Sequence, residues 1–176
     1  MKILLHICCG VCAAGVAREL MAEGHTVTGF FYNPNIHPED EYNRRLETVR
    51  EVSGKTGFDL REGSYDENEW RRLISGFEDE PEGARRCGIC FSMRLEKTYE
   101  YFLQGDFDLF TTTLTVSPIK NAVLINGIGM ELGGEKFMVS DFKKKDGFKK
   151  TIALAKQWEL YRQDYCGCEY SIRGES

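Results

Sequence analysis

The N-terminal stretch of the chain joins a short apolar run to a cluster of cysteines. Residues 3–7 (Ile-Leu-Leu-His-Ile) are almost entirely apolar, which is typical of a buried strand. Cys8, Cys9 and Cys12 follow where this strand must turn into a helix. In an open α/β sheet that turn faces the ligand crevice, and N–H groups at a helix start favour negatively charged sulfur. We therefore predict a thiolate site at this turn; buried structural cysteines are the alternative.

Apolar patterns along the rest of the chain alternate between strand and helix. Further strands are predicted at 26–32, 58–65, 107–114 and 136–140, with amphipathic helices in the segments between them. In the helix after Ser117-Pro118, we expect Ile119, Ala122 and Val123 to face the core. This alternation predicts an α/β fold: a single three-layer domain with a mainly parallel sheet covered by helices on both faces.

Length, charge and cysteine content narrow the function classes. The 176 residues match one domain, and neither a membrane-spanning run nor a signal peptide is visible, so we expect a cytoplasmic protein. A net charge of −5 provides no general attraction to nucleic acid. Seven cysteines cannot all pair, and in a cytosolic chain they favour metal or redox chemistry over structural disulfides.

Several common catalytic patterns are missing from the sequence. It contains no G-x-x-x-x-G-K-[ST], no G-x-G-x-x-G and no H-E-x-x-H, so nucleotide binding and zinc-protease chemistry have no support. His6 lies within the first predicted strand, where we expect either a hydrogen-bonded core residue or one that supports the site residues from behind. The cysteines therefore carry the chemistry of this chain.

A second cysteine pair, Cys87 and Cys90, opens another predicted helix and could act together with Cys8 and Cys9. Four sulfur ligands suit zinc or an iron–sulfur cluster. Structural zinc sites normally use C-x₂₋₄-C knuckles, which adjacent Cys8 and Cys9 cannot form, whereas neighbouring sulfurs can bind different irons of one cluster. The spacing favours iron–sulfur, with zinc and thiol redox chemistry as open alternatives.

The remaining cysteines and the basic residues allow more than one interpretation. Cys12 can be a second-metal ligand, a cluster ligand in place of Cys8, or a buried helix residue. Cys166-Gly167-Cys168 can form a small strained disulfide of the labile, catalytic kind, or two free thiols near the C-terminus. A basic set can supply phosphate contacts or ordinary solvated surface: Arg85, Arg86, Lys143, Lys144 and Lys145.

Six ordered motifs, which span nearly the whole chain, resemble those of the QueH-type epoxyqueuosine reductases. They are His6-Ile7-Cys8-Cys9-X-X-Cys12, Arg86-Cys87-X-X-Cys90-Phe91-X-X-Arg94-Leu95, Thr111-Thr112-Thr113-Leu114, Ser117-Pro118-X-Lys120-Asn121, Asp141-Phe142-Lys143-Lys144 and Tyr161-Arg162-Gln163-X-Tyr165-Cys166-Gly167-Cys168. One departure is Gly10-Val11, where family members commonly carry a small residue followed by proline. This change affects the rigidity of the turn and leaves the cysteines in place.

The resemblance implies a function that the residues alone do not reach. Such enzymes reduce epoxyqueuosine to queuosine at the wobble position of tRNA, the last step of queuosine biosynthesis, without cobalamin. The implied fold is related to the PP-loop and adenine nucleotide α-hydrolase architecture. The implied ligands of a 4Fe-4S cluster fall on Cys8, Cys9, Cys87 and Cys90, and an implied redox-active disulfide joins Cys166 and Cys168.

Further expectations follow from this function. Cys12 and Asp141 are candidates to hold an additional iron ion, and Asp141 alternatively to donate a proton. Residues 1–176 form one reductase domain, with the Cys-Gly-Cys pair in a tail from about residue 159. The expected partners are tRNA carrying epoxyqueuosine and an unidentified electron donor, with no membrane. The alternatives are a zinc-stapled RNA-binding module and a thiol–disulfide oxidoreductase that uses Cys87 and Cys90.

Overall fold

A computed structural model describes residues 1–172 and contains one parallel sheet. Its strands are β1 (Lys2–His6), β2 (Thr26–Phe31), β3 (Asp59–Glu62) and β4 (Leu109–Thr112), in the order β3-β2-β1-β4. β1 is paired on both sides and contributes completely buried apolar side chains, as expected for a central parallel strand. The predicted mainly parallel sheet is confirmed. Residues 173–176, part of the predicted tail, lie outside the described residues.

In the part of the chain that the structure describes, six helices cover the sheet: α1 (Gly10–Ala22), α2 (Glu39–Thr56), α3 (Glu67–Ile74), α4 (Arg85–Gln104), α5 (Ala122–Gly133) and α6 (Gly147–Gln157). α1 packs against α2 and α6, whereas α4 packs against α3, α5 and the strands β1 and β4. The result is the predicted three-layer α/β arrangement. Over residues 1–172, no helix is both long and apolar enough to cross a bilayer.

The fifth strand predicted at 136–140 is wrong. Only Phe137 makes a parallel bridge, to Phe110, and Met138 N donates to the Phe110 carbonyl at 2.8 Å. A 3₁₀ turn at 134–136 ends immediately before this bridge. Phe137 is buried but Val139 is 57% exposed, so the segment has only one residue that packs like a strand residue. The apolar run is too weakly buried to extend the sheet.

The predicted core face of the helix after Ser117-Pro118 is also partly wrong. The side chain of Asn121 accepts hydrogen bonds from the backbone N–H groups of Val123 and Leu124 and so caps α5. The helix therefore starts later than the proline suggested, and its buried face is Ala122, Ile125 and Gly129. Ile119 is 70% exposed and Val123 is 83% exposed. These two apolar side chains therefore face outward near the start of α5.

The carboxyl ends of β1 and β4 create the crevice of this fold. The strand order changes direction between these two strands, which is where ligands bind in open α/β sheets. His6, at the end of β1, is completely buried and hydrogen-bonds Thr112 Oγ1 at 2.9 Å and the Tyr32 carbonyl at 3.2 Å. Burial, with the nearby Arg94 charge, lowers the pKa of His6 to about 3, so its ring is neutral. The predicted hydrogen-bonded core role is confirmed.

Candidate metal centre lined by cysteines

The β1–α1 turn brings three sulfurs together. The Sγ atoms of Cys8, Cys9 and Cys12 all lie within 4.8 Å of one another, and in the described part of the chain no other His, Cys, Asp or Glu group of three is so close. Cys9 is the N-cap of α1, and its sulfur accepts a hydrogen bond from Cys12 N at 3.5 Å. Thr113 Oγ1 accepts from Cys8 N at 3.0 Å and donates to Cys8 Sγ at 3.3 Å. These three residues could hold a metal.

Electrostatics make the three first-turn thiols unequal. Hydrogen bonds with Cys12 and Cys9 lower the pKa of Cys8 well below its ordinary value, and the charges of Lys120 and Arg94 add to this effect. The interaction with Cys8 is the largest cause of the raised pKa of Cys12. Cys8 is therefore the thiol that ionises first, and a thiolate is the form that binds metal.

The second predicted pair lies in the first two turns of α4. Cys87 and Cys90 line a cavity together with Cys166 and Cys168, and Gly83 N donates to Cys87 Sγ at 3.1 Å. Cys8 and Cys12 line an adjoining cavity. The two cavities have four residues in common: Glu82, Ile119, Lys120 and Cys166. The fold thus brings cysteines that are distant in sequence to two neighbouring spaces.

Two cations, Arg94 and Lys120, lie beside these sulfurs and have no carboxylate partner among the described residues. Arg94 is 3% exposed, its Nη1 lies 3.9 Å from Cys90 Sγ, and its Nη2 donates to Asn33 Oδ1 at 2.6 Å. Neither Arg94 nor Lys120 forms an ion pair with an acidic side chain anywhere within residues 1–172. A buried charge needs an opposite charge to offset its desolvation. The residues present therefore fit an anionic metal–thiolate centre.

The C-terminal cysteine pair is held by side chains of the α2 region. Arg45, 2% exposed, donates to the carbonyls of Tyr165 and Cys166, each at 3.1 Å, and pairs with Glu41 at 2.6 Å. Both Cys166 and Cys168 are free thiols. A hydrogen bond from Cys168 lowers the pKa of Cys166 to about 5. This combination of a thiolate and a neighbouring thiol is suited to dithiol–disulfide chemistry.

The predicted phosphate contacts are not equally accessible. Arg86 is only 2% exposed, and its Nη1 donates to the carbonyls of Glu78 and Glu80 in the acidic loop. The Nη1 group of this arginine is occupied in holding the loop, so Arg86 is a poor candidate for a contact with an RNA phosphate. Arg85 is exposed, pairs with Glu80 at 2.6 Å and lies over the Phe77 ring.

The lysines predicted to bind phosphate follow β4 and the α5 segment. Lys144 and Lys145 are exposed, whereas Lys143 Nζ donates to the Lys120 carbonyl at 3.1 Å and lies 3.3 Å from Asp141. Asp141 is not among the side chains that line either cysteine cavity. Its role as a metal ligand or proton donor stays a prediction.

Two buried arginines of the site, Arg94 and Arg45, have no role assigned by the sequence patterns, and only Arg94 lies within one of the six motifs. Arg94 follows Cys90 by four residues on one helix, a spacing that places two side chains on the same face and could have indicated their contact. Arg45 lies 120 residues or more from the carbonyls that it binds, and no local pattern reports such a distance.

The fold is shared with a tRNA-modifying enzyme of known structure. The U34-tRNA thiolase NcsA from Methanococcus maripaludis, solved with its [4Fe-4S] cluster, aligns with a TM-score of 0.62 at 15% sequence identity. The alignment covers 98% of this chain and 62% of that one, so this chain spans less than two thirds of the thiolase. The class defined by fold and site is a three-layer α/β protein that shares the fold of this thiolase and has a cysteine-lined crevice, which confirms the predicted three-layer α/β class with a mainly parallel sheet.

Sequence relatives then identify the family. The family model described as epoxyqueuosine reductase QueH matches residues 3–174. Epoxyqueuosine reductase QueH of Streptococcus pyogenes serotype M1 is 39% identical over 98% of this chain and 71% of its own length. The protein of the same name from Thermotoga maritima is 35% identical over 97% of this chain and 90% of its own length. The chain belongs to the epoxyqueuosine reductase QueH family, as its motifs predicted.

Proposed function

We propose that this chain is an oxidoreductase that reduces epoxyqueuosine to queuosine at the wobble position of tRNA, without cobalamin, and acts in the cytoplasm. The observation that carries the proposal is a family match that extends from residue 3 to residue 174. The cysteine-lined crevice supplies a place for the reduction. The family match favours this reading over a zinc-stapled RNA-binding module or a general thiol–disulfide oxidoreductase.

The chemistry sets clear requirements. Conversion of an epoxide to an alkene takes up two electrons and two protons and releases water. Oxidation of the Cys166 and Cys168 dithiol to a disulfide releases two electrons and two protons, so this redox pair balances one turnover. A separate electron donor must then reduce the disulfide again. When bound, an iron–sulfur cluster passes electrons singly between such a two-electron donor and the substrate.

Four cysteines are proposed to hold a 4Fe-4S cluster: Cys8, Cys9, Cys87 and Cys90. The proposal is supported by the sulfurs grouped at the first turn and by Arg94 and Lys120, which line the crevice and have no acidic partner within residues 1–172. Cys12 would then be free to bind an additional iron ion or to replace a cluster ligand. Asp141 is a weaker candidate for that ion or for proton donation, because it lines neither cavity.

The RNA must bring its base into the crevice. Enzymes that act on a base take it out of the stack, since the target atom is otherwise inaccessible. Arg85 and the exposed lysines Lys144 and Lys145 are the proposed phosphate contacts, with Lys143 at the edge of the crevice. They would form a local basic patch on a chain whose net charge is −5.

The test combines spectroscopy with turnover of tRNA that carries epoxyqueuosine. Anaerobically purified protein should be brown, give an EPR signal when reduced, and convert the modified tRNA to its queuosine form. A colourless, zinc-filled and inactive protein would support the RNA-binding module. Activity that survives complete metal removal would support the thiol–disulfide alternative. The Cys87→Ala variant should lose both the visible absorption and the conversion.

A further inference from the structure

The cavity beside Cys87 and Cys90 contains several buried polar atoms without hydrogen-bond partners. Asn35 Oδ1, Trp70 Nε1, Arg86 Nε and Arg94 Nε are all buried and unpaired within the described residues. Their side chains are 1%, 0%, 2% and 3% exposed, respectively, and all four line this one cavity. An unpaired polar group in a protein interior is unfavourable, so such groups normally have a ligand or an ordered water as partner.

We propose that this cavity is the subsite for the unstacked base of the RNA substrate, read by Asn35 and Trp70 with the Nε–H groups of Arg86 and Arg94. This inference rests on the proposed function, because it names the part of the substrate that the same site accepts. Epoxyqueuosine is a guanine-type base, whose pairing edge places a carbonyl oxygen beside N–H donors. Among the four unpaired atoms, an N–H donor can pair with that carbonyl oxygen, and the Asn35 amide oxygen can accept from one of the ring N–H groups.

The two arginines favour a base over a phosphate group. Arg86 Nη1 is already bound to backbone carbonyls, and Arg94 Nη2 is bound to Asn33. Phosphate recognition by arginine uses the fork of several N–H groups. Each of these guanidinium groups has an unpaired Nε–H that can donate in a single direction, as a carbonyl oxygen of a ring requires.

The walls of the cavity also match a planar ring. Phe91, Ile119 and Leu124 contribute apolar surface to a cavity that opens to solvent. A largely apolar pocket with a few convergent polar groups is the usual form of a small-ligand site. Cys87, Cys90, Cys166 and Cys168 line the same space, so a base bound there would lie next to the redox residues.

Trp70 allows a sharp test because the chain has a second tryptophan elsewhere. Trp70 packs against His37 at 5.0 Å between ring centroids, and its indole N–H has no partner to lose. Trp158, the other tryptophan, lies near Arg18 and Lys55 and lines neither cysteine cavity. Trp70→Phe therefore removes the proposed contact, and Trp158→Phe is the matched control.

The experiment is a binding cycle with the holoenzyme and two anticodon stem-loop RNAs. One RNA carries epoxyqueuosine at the wobble position, and the other carries an abasic residue there. We expect Trp70→Phe to weaken binding of the modified RNA about tenfold and to leave binding of the abasic RNA unchanged. Asn35→Ala should behave similarly, and Trp158→Phe should change neither. Iron content and visible absorption should match the wild type in all three variants.

Two outcomes would overturn the inference. One is an equal loss of affinity for both RNAs in Trp70→Phe and Asn35→Ala. That result would show that the two side chains do not contact the base. The other is unchanged affinity for the modified RNA in both variants, which would leave ordered water as the partner of the buried groups. Failure of the proposed function would give a different result: the wild-type enzyme would bind the modified RNA but would not reduce its epoxyqueuosine.

Discussion

The sulfur group of the first turn and the cysteine pair of the C-terminal segment are positioned by different means. Cys8, Cys9 and Cys12 follow a strand that is paired on both sides, and the start of α1 orients them. Cys166 and Cys168 lie in an irregular segment that hydrogen bonds from Arg45 and the His37 backbone N–H attach to the α2 region. We expect the first group to be rigid and the second to tolerate changes of oxidation state.

The largest predicted effect separates the roles of the two groups. Cys8→Ala should reduce bound iron to background and lower activity by more than the roughly 100-fold that follows loss of an outer contact at a metal site. Cys166→Ser should keep the iron and its visible spectrum, with multiple-turnover activity below about 1% of wild type because the dithiol is broken. Iron analysis and turnover assays check both. Full turnover in Cys166→Ser would remove the dithiol from the mechanism.

The attachment of the C-terminal segment should depend on one buried arginine. Arg45→Met removes the ion-pair partner of Glu41 and the donor to two carbonyls, so we expect a loss of about 3 kcal/mol in the free energy of unfolding. Arg50→Met on the same helix removes only exposed ion pairs with Glu47 and Glu62 and should cost less than about 1 kcal/mol. Denaturant unfolding measures the difference. Equal losses of unfolding free energy in the two variants would contradict a specific role of Arg45 in attaching the C-terminal segment.

A glycine beside each cysteine group provides a finer comparison. A Cβ at Gly10 would lie 2.5 Å from the Thr48 side chain and 2.9 Å from its backbone, so Gly10→Ala should separate α1 from α2 at a cost of about 1–3 kcal/mol and lower iron loading. Gly167 has φ +107°, and its Cβ would lie 2.8 Å from Ile36. Gly167→Ala should therefore lower turnover while iron loading stays normal.

Iron content and turnover of the two alanine variants, measured side by side, test this separation. Loss of iron in Gly167→Ala, with normal loading in Gly10→Ala, would reverse the proposed division between the two regions.

The smallest predicted effect is on the pH dependence of the reactivity of Cys166, with no loss of structure. Because the pKa of Cys166 is lowered to about 5, this thiol should be ionised at neutral pH, and its alkylation by iodoacetamide should slow only as the pH falls towards 5. Cys168→Ala removes the hydrogen bond that is the main cause and should move the inflection to higher pH. Mass spectrometry of reduced protein follows the rate at Cys166. A wild-type rate that keeps rising above about pH 8, as for an ordinary thiol, would contradict the shift.

Local patterns were sufficient for elements whose burial is decided by their own sequence. The apolar run at residues 3–7 correctly predicted the buried strand β1. The expected strand at 136–140 and the expected burial of Ile119 and Val123 failed. Both segments are rich in apolar residues. How many of these residues are buried, however, depends on the elements that pack against them, and the local sequence does not contain that information.

The sequence by itself determined the α/β class, the thiolate turn after β1 and the family, because each depends on residue order over short spans. Tertiary structure decided which groups meet. It placed Cys87 and Cys90 in one cavity with Cys166 and Cys168, next to the first-turn sulfurs. It also brought Asn35, Trp70 and Arg94 to a common space. The physical reason is that contacts between distant segments depend on how helices pack across the sheet, and no local periodicity records that packing.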